Sequence, residues 1–347
     1  MIQLCYYTFT GIVIHLLRIV DMFDIVTIGD IKLDAFISLD RCKDKCDLKK
    51  KKIEFAFGEK ISVDLMATLI AGSASNVATG ISRMGKRAAV ISHMGDDQTY
   101  TLALEMLRKE NIETMYIQSY KKTASAYSAV LNLQGEKTIL ASYLHKPLKL
   151  PGPFPETKWV YMCEMGNTYE QTYRNLLREL KKDHILLGYN PGNEQIQDRK
   201  PLLFEMIART NVLFVNVEEG RAIVNNSRLK ISHLAEALFR LGPDEVVLTD
   251  GRNGSYGYNG TTLFSCPIFP GERIESTGAG DSFASAYIGA KMNGESMQEA
   301  LRWGSMNSAS VVHEVGPTRG LLTQKQIQTR LKSAPEFKAV IAGAYRK

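Results

Sequence analysis

The 347 residues contain no G-x-x-x-x-G-K-S/T run, and the one near approach, Gly85-Lys86-Arg87, fails at its last position, which argues against a P-loop phosphotransferase. The first apolar strand ends in Gly29-Asp30 without the G-x-G-x-x-G cluster that a dinucleotide-binding oxidoreductase needs at that point. Cysteine is sparse. Cys5, Cys42, Cys46, Cys163 and Cys266 are odd in number and scattered, which suits reduced thiols in a cytoplasmic protein better than a disulfide framework. Cys42 and Cys46 lack a second Cys/His pair of similar spacing, which argues against a zinc clip. A large excess of one charge is also missing: 43 Lys and Arg against 37 Asp and Glu leave +6, which at this length does not call for nucleic acid or an anionic membrane as partner. The densest basic stretch, Arg41 to Lys52 with four consecutive lysines at 49–52, has no interleaved aromatics and reads as a solvated loop. There is no internal repeat and no low-complexity linker.

One apolar run, IQLCYYTFTGIVIHLLRIV at residues 2–20, is about long enough to cross a bilayer. His15 and Arg18 interrupt it, and it has neither a basic n-region nor an A-x-A-like cleavage site. Met22 and the FDIVTIGD that follows form a self-contained opening strand and turn. The preferred reading is translation from Met22, with the hydrophobic leader 1–21 outside the fold; a membrane anchor and an added N-terminal helix are the alternatives.

What the chain does have is strands alternating with helices. FDIVTIG, AAVISH (88–93), WVYMCEM, HILLGYN, VLFVNV and EVVLTD are apolar runs of strand length. Helical patterns lie between them at Val77–Met84, Thr101–Glu110, Gln171–Lys181 and His233–Leu241. This alternation predicts a mostly parallel sheet covered on both faces. Two β excursions interrupt it, near 34–68 and 123–143; the second is a hairpin turning at Gln134-Gly135-Glu136. They are expected to pair in space as a small lid.

The strongest chemical feature is Glu275-Ser276-Thr277-Gly278-Ala279-Gly280-Asp281, ahead of a small-residue helix. A glycine turn feeding a helix start offers unpaired N–H groups and the positive end of the helix dipole, which suit a phosphoryl group gaining negative charge. Asp281 at the junction can take a proton from an attacking hydroxyl, although an Asp near a helix start is also a common cap.

This segment resembles the second signature of the PfkB/ribokinase carbohydrate kinases, D-T-T-G-A-G-D-x-F, with Glu275 and Ser276 where the pattern favours Asp and Thr. More segments match in the same order, over about residues 23–330. Gly29-Asp30 through Asp34 resembles the opening substrate contact, and Ala71-Gly72 through Asn76 resembles G-G-x-x-x-N with Ala for the first glycine. Asn190-Pro191-Gly192 resembles a strand-end turn near the phosphates, and Asn216 with Glu219 fits N-x-x-E. Thr249, Gly251 and Gly254 fit T-x-G-x-x-G, and Ser305 or Asn307 would line the adenine pocket.

The resemblance implies a ribokinase-like three-layer α/β/α fold, doubly wound, with a small β-lid. The kinase domain would run over 22–335, with 336–347 a C-terminal tail. It implies ATP-dependent phosphorylation of a hydroxyl on a small sugar or nucleoside. Asp281 would be the base and the backbone of Gly278, Ala279 and Gly280 the anion hole. Asp30, Asp34, Gly72 and Asn76 would serve the acceptor. Asn216 and Glu219 would hold Mg²⁺, and a monovalent cation such as K⁺ often lies beside the glycine loop. Lids of this kind often pair edge to edge, which leaves a homodimer open. The alternative is a non-catalytic sugar- or nucleotide-binding protein on the same fold, which loss of Asp281 or of the glycines would have signalled. No basic cluster is placed to hold a substrate phosphate, which argues against sugar phosphates as acceptors.

Overall fold

The computed structural model describes residues 22–47, 52–134, 136–181 and 184–344, with short strands between positions 2 and 19. Ile2–Cys5 pairs with Leu16–Ile19, and Thr8–Phe9 with Ile12–Val13. The rest of the leader, Lys49–Lys51 of the lysine run and Gly135 of the hairpin turn lie outside the described residues. Among the described residues no helix is long and apolar enough to cross a membrane.

The first central strand, β1 (Phe23–Ile28), is buried on both faces, as the unbroken apolar run predicts. The chain then leaves for β2 (Lys32–Ser38) and β3 (Asp64–Ala71) and returns through α1 (Ser73–Arg83), β4 (Ala88–Gly95), α2 (Gln98–Lys109) and β5 (Ile117–Tyr120). A hairpin follows, β6 (Ala126–Leu133) and β7 (Glu136–Ser142), then β8 (Thr157–Met162), α3 (Glu170–Glu179) and β9 (Leu186–Tyr189). Next come α4 (Asn193–Asp198), α5 (Pro201–Ala208), β10 (Val212–Asn216), α6 (Val217–Ile223), α7 (Ile231–Phe239) and β11 (Glu245–Thr249). The remainder is β12 (Ser255–Tyr258), β13 (Thr262–Cys266), α8 (Ala279–Met292), α9 (Met297–Val311), α10 (Gln324–Lys332) and β14 (Val340–Ala344).

The main sheet has the order β5-β4-β1-β8-β9-β10-β11-β12-β13-β14. The first seven strands are parallel and the last three antiparallel. One apolar layer under α1, α2, α8, α9 and α10 contains Ile25; the other, under α3 to α7, contains the next residue, Val26. The strand order reverses beside β1, so a crevice opens at the carboxyl ends of β1 and β8, where α/β sheets bind ligands.

The two β excursions lie in a separate sheet β7-β6-β2-β3 whose central pair, β2 and β6, is parallel. Leu39, Cys42, Leu131 and Leu133 form a small core of its own at the far end. Two placements differ from the sequence reading. Asp34 stands within β2 and not in a turn past a strand end. The segment read as a C-terminal tail supplies β14, which pairs antiparallel with β13.

Candidate active site

The turn from Glu275 to Gly278 delivers α8 into the crevice. Gly278, at φ +77°, precedes the helix, and a Cβ there would lie 2.4 Å from Pro317 Cβ, so no other residue fits without a shift. A Cβ on Gly280 would meet nothing within 4 Å, so that side of the first turn is open. The Ala279 N–H donates to Ser276 O across 3.3 Å. Asp281 follows in the same turn and its Oδ2 accepts from Asn76 Nδ2 at 2.8 Å, which ties the start of α8 to the start of α1. Burial raises the Asp281 pKa, with Glu164 adding to the shift and Asn76, Ser73 and Lys137 opposing it. The residue as a whole is half-buried.

Glu275 is fully buried. Its Oε1 accepts from the Thr277 N–H and hydroxyl, both at 2.7 Å, and its Oε2 has no hydrogen-bond partner. From the lid, Lys137 Nζ donates to Ser276 O at 3.2 Å and to Thr277 Oγ1 at 3.4 Å.

A second group of polar side chains gathers where β1 gives way to β2. Asp30 is buried; its Oδ1 lies 3.3 Å from His93 Nε2 and its Oδ2 accepts from the Gly166 N–H at 3.2 Å. Lys32 Nζ is 2.9 Å from Glu164 Oε1 and 4.4 Å over the Tyr143 ring. Burial works against charge on Lys32, but Glu164, Tyr143 and Asp30 outweigh it and hold its pKa above the ordinary range. Asp34 is buried on the same face of β2, and its Oδ1 has no partner. Burial pushes its pKa up to about 6 against the pull of Lys32 and the Ser128 hydroxyl. Asn76 Oδ1 is likewise buried without a partner. Gly72 links β3 to α1 at φ +106°, and a Cβ there would lie 2.3 Å from Asp30 O; the approach of lid to sheet requires glycine.

The remaining residues singled out from the sequence divide. Asn190, past β9, donates from Nδ2 to Phe214 O at 2.8 Å. Asn216 and Glu219 bond each other as a capping box on α6, at 2.8 and 2.9 Å. Burial, and then Glu164, push the Glu219 pKa up to about 7 against the Asn216 N–H. Thr249 ends β11; Gly251 and Gly254 bracket the turn into β12, where a Cβ on Gly254 would lie 2.3 Å from Cys266 O. Ser305 is buried beside Ser255 Oγ at 3.5 Å and Cys266 Sγ at 3.6 Å. Asn307 is fully buried and spent on packing: Nδ2 donates to Ser282 O at 2.8 Å and Oδ1 accepts from the Leu322 N–H at 2.9 Å. It belongs to the α8–α9 contact and has no amide left for an adenine.

Sequence reasoning did not single out Lys32, His93, Lys137 and Glu164, which contact residues of these two groups. His93 and Glu164 had a usable signal, since both are polar residues at the carboxyl end of a buried apolar run.

A parallel sheet with a glycine-lined helix start at its topological switch point, covered by a second sheet, is the arrangement of an α/β phosphotransferase. The model of the pfkB family carbohydrate kinases matches residues 33–324, and the chain belongs to that family. A cytidine kinase of Thermococcus kodakarensis is 24% identical over 311 residues, covering 85% of this chain and 98% of the relative. The Arabidopsis thaliana ribokinase complexed with ribose and ATP superposes with a TM-score of 0.74 at 18% identity, over 90% of this chain and 99% of that one. A putative ribokinase II from E. coli in complex with ATP and Mg²⁺ gives 0.73 at 17%, over 90% and 100%. The fold is that of ribokinase, and the protein is a sugar or nucleoside kinase, a phosphotransferase with an alcohol group as acceptor.

Proposed function

We propose that the protein transfers the γ-phosphoryl group of ATP to a hydroxyl of a small uncharged sugar or nucleoside, with Asp281 as general base. The observation that carries this reading is the pair of buried, unpartnered oxygens, Asp34 Oδ1 and Asn76 Oδ1, beside an aspartate whose pKa burial raises. Orphaned acceptors are costly, and sugar hydroxyls are the donors that would satisfy them. Lys32, already matched by Glu164, has no charge to spare for an anionic acceptor.

The acceptor hydroxyl gives its proton to Asp281 as its oxygen bonds to phosphorus and the bond to the ADP leaving oxygen breaks. Asn76 holds the Asp281 carboxylate in place, and the N–H groups of Gly278 and Gly280, with that of Ala279 turning from Ser276 O, would receive the growing charge. The ATP would lie along Thr249, Gly251 and Gly254, with Asn190 and Ser305 at its edges. Asn216 and Glu219 bring an amide and a carboxylate together at the carboxyl end of β10, a donor set that would hold Mg²⁺ through water. When bound, Mg²⁺ neutralises charge on the β- and γ-phosphates. The unpartnered Glu275 Oε2 suits a monovalent cation such as K⁺. The four described cysteines are free thiols, in keeping with a cytoplasmic setting. A homodimer through the lid edge β3 belongs to the same proposal.

The test is ADP release across a panel of sugars and nucleosides, followed by Asp281→Asn. The variant is expected to keep its circular dichroism and melting temperature and to lose about 10²–10⁴ in rate. The base must be ionised, and its pKa is raised, so the acid limb of the wild-type rate lies above that of an ordinary aspartate. Wild-type turnover by Asp281→Asn would refute the assignment.

A further inference from the structure

Lys137 reaches from the lid to the turn that opens α8. It stands at the start of β7, directly opposite Asn132 of β6, which in turn lies opposite Ser38 of β2. Opposed residues share a face of a sheet. Four residues away along each strand, and so on the same face, Asp34, Ser128 and Ala141 form a further row. The face of the lid that carries Asp34 therefore carries Lys137 as well.

The Lys137 ammonium touches only a backbone oxygen, Ser276 O, and a hydroxyl, Thr277 Oγ1, at 3.2 and 3.4 Å. Among the described residues it makes no ion pair. Its side chain as a whole stays exposed, yet the surrounding protein strips enough water from the ammonium to lower its pKa, against the pull of Glu275, Asp281 and Asp34. A second cation stands at the same mouth: Arg273 Nε is buried without a hydrogen-bond partner, and its Nη1 is 4.0 Å from Glu136 Oε1. A lysine spent on two long, neutral contacts next to a glycine-lined anion hole has donors to give to a stronger acceptor.

We propose that Lys137 is a catalytic residue which the lid brings onto the transferring phosphoryl group. Its N–H donors turn from Ser276 and Thr277 to the equatorial phosphoryl oxygens as negative charge spreads over them. Lys137 neither gives nor takes a proton. The acceptor's proton still goes to Asp281, and the phosphorus–oxygen bond to ADP still breaks. The lid then does more than cover the acceptor: it completes the electrostatic site, so closure and chemistry are coupled through one side chain. This role rests on the ATP-dependent transfer proposed above.

Lys137→Met and Lys137→Arg test it, with the acceptor that gives the most ADP in the panel. Removing one donor to a developing anion typically costs about 10²–10³ in rate. Lys137→Met is expected to lose about 10²-fold in kcat, with KM for ATP and acceptor changed only a few-fold, and Lys137→Arg to recover part of the loss. A binding readout separates this from a structural role. The wild type should bind ADP with aluminium fluoride, a mimic of the phosphoryl group in flight, more tightly than ADP alone. Lys137→Met should lose that margin and keep its affinity for ADP. Lys137→Gln, a second neutral variant, should behave as Lys137→Met does. Wild-type kcat in either neutral variant, or an intact aluminium fluoride margin, overturns the role and leaves the kinase reading standing. A wild type that releases no ADP with any acceptor overturns both.

Discussion

At Asp34 the carboxylate is buried on the cleft face of β2 with one oxygen unpartnered, and burial lifts its pKa from 3.8 to about 6. Below pH 3.8 it is protonated both folded and unfolded and adds nothing to the pH dependence. Between 3.8 and about 6 the unfolded chain gives up the proton first, so stability falls as pH rises. Above about pH 6 the full cost of the buried charge is present. Asp34→Asn should therefore melt higher than the wild type at pH 8, by on the order of 2 kcal/mol, and show no such gain near pH 4. The same change should raise KM for the acceptor, because the orphaned oxygen is the proposed hydroxyl contact. Thermal melts at the two pH values check the first statement. An equal gain at both would mean that shape, not charge, sets the cost.

Among the elements, α6 begins with a pair that has two readings. Asn216 and Glu219 cap the helix through each other's backbone N–H, and the motif also suggests a place near Mg²⁺. Glutamine at 219 keeps an oxygen for the Asn216 N–H and removes the charge. Glu219→Gln should melt no lower than the wild type, and higher above about pH 7 where the cost of the buried charge is removed, and should need more Mg²⁺ for half-maximal rate. Glu219→Ala should lose the cap as well, about 1 kcal/mol. A Mg²⁺ titration that superposes for Glu219→Gln and wild type would leave the pair with the cap alone.

The same element scale explains what could be read from the sequence. β1, β4 and β8 to β11 were legible because strands buried on both faces leave unbroken apolar runs. β14 was not, since Val340–Ala344 becomes a strand only by pairing with β13. Asp281, Asn76 and Gly72 were singled out because family spacing marks them. The Lys32–Glu164 pair joins residues 132 apart, and no local pattern announces it. Asn307 was kept as a nucleotide candidate because a run of small residues does not say which helix face meets the ligand; the packing of α8 against α9 does.

For the whole molecule, the open question is what covers the lid's edge. β3 is the last strand of the lid sheet, and among the described residues nothing pairs with its outer side in the order β7-β6-β2-β3. Leu65 is 65% exposed on it, Met66 and Val63 are exposed beside it, and Phe57 before it is fully exposed. An edge strand with apolar side chains is a template for pairing, and single chains blunt such edges with lysine or proline. β3 has neither in DLMATLIA. Two copies joined along β3 would cover both edges and brace the lids that carry Asp34 and Lys137. Light scattering on purified protein should give twice the chain's mass at micromolar concentration. Leu65→Lys puts a charge on the edge without touching the cleft face, and should yield the single-chain mass with a looser lid, read as a raised KM for the acceptor. A wild type that runs as a single chain across that range would remove the pairing and leave the active-site assignments as they are.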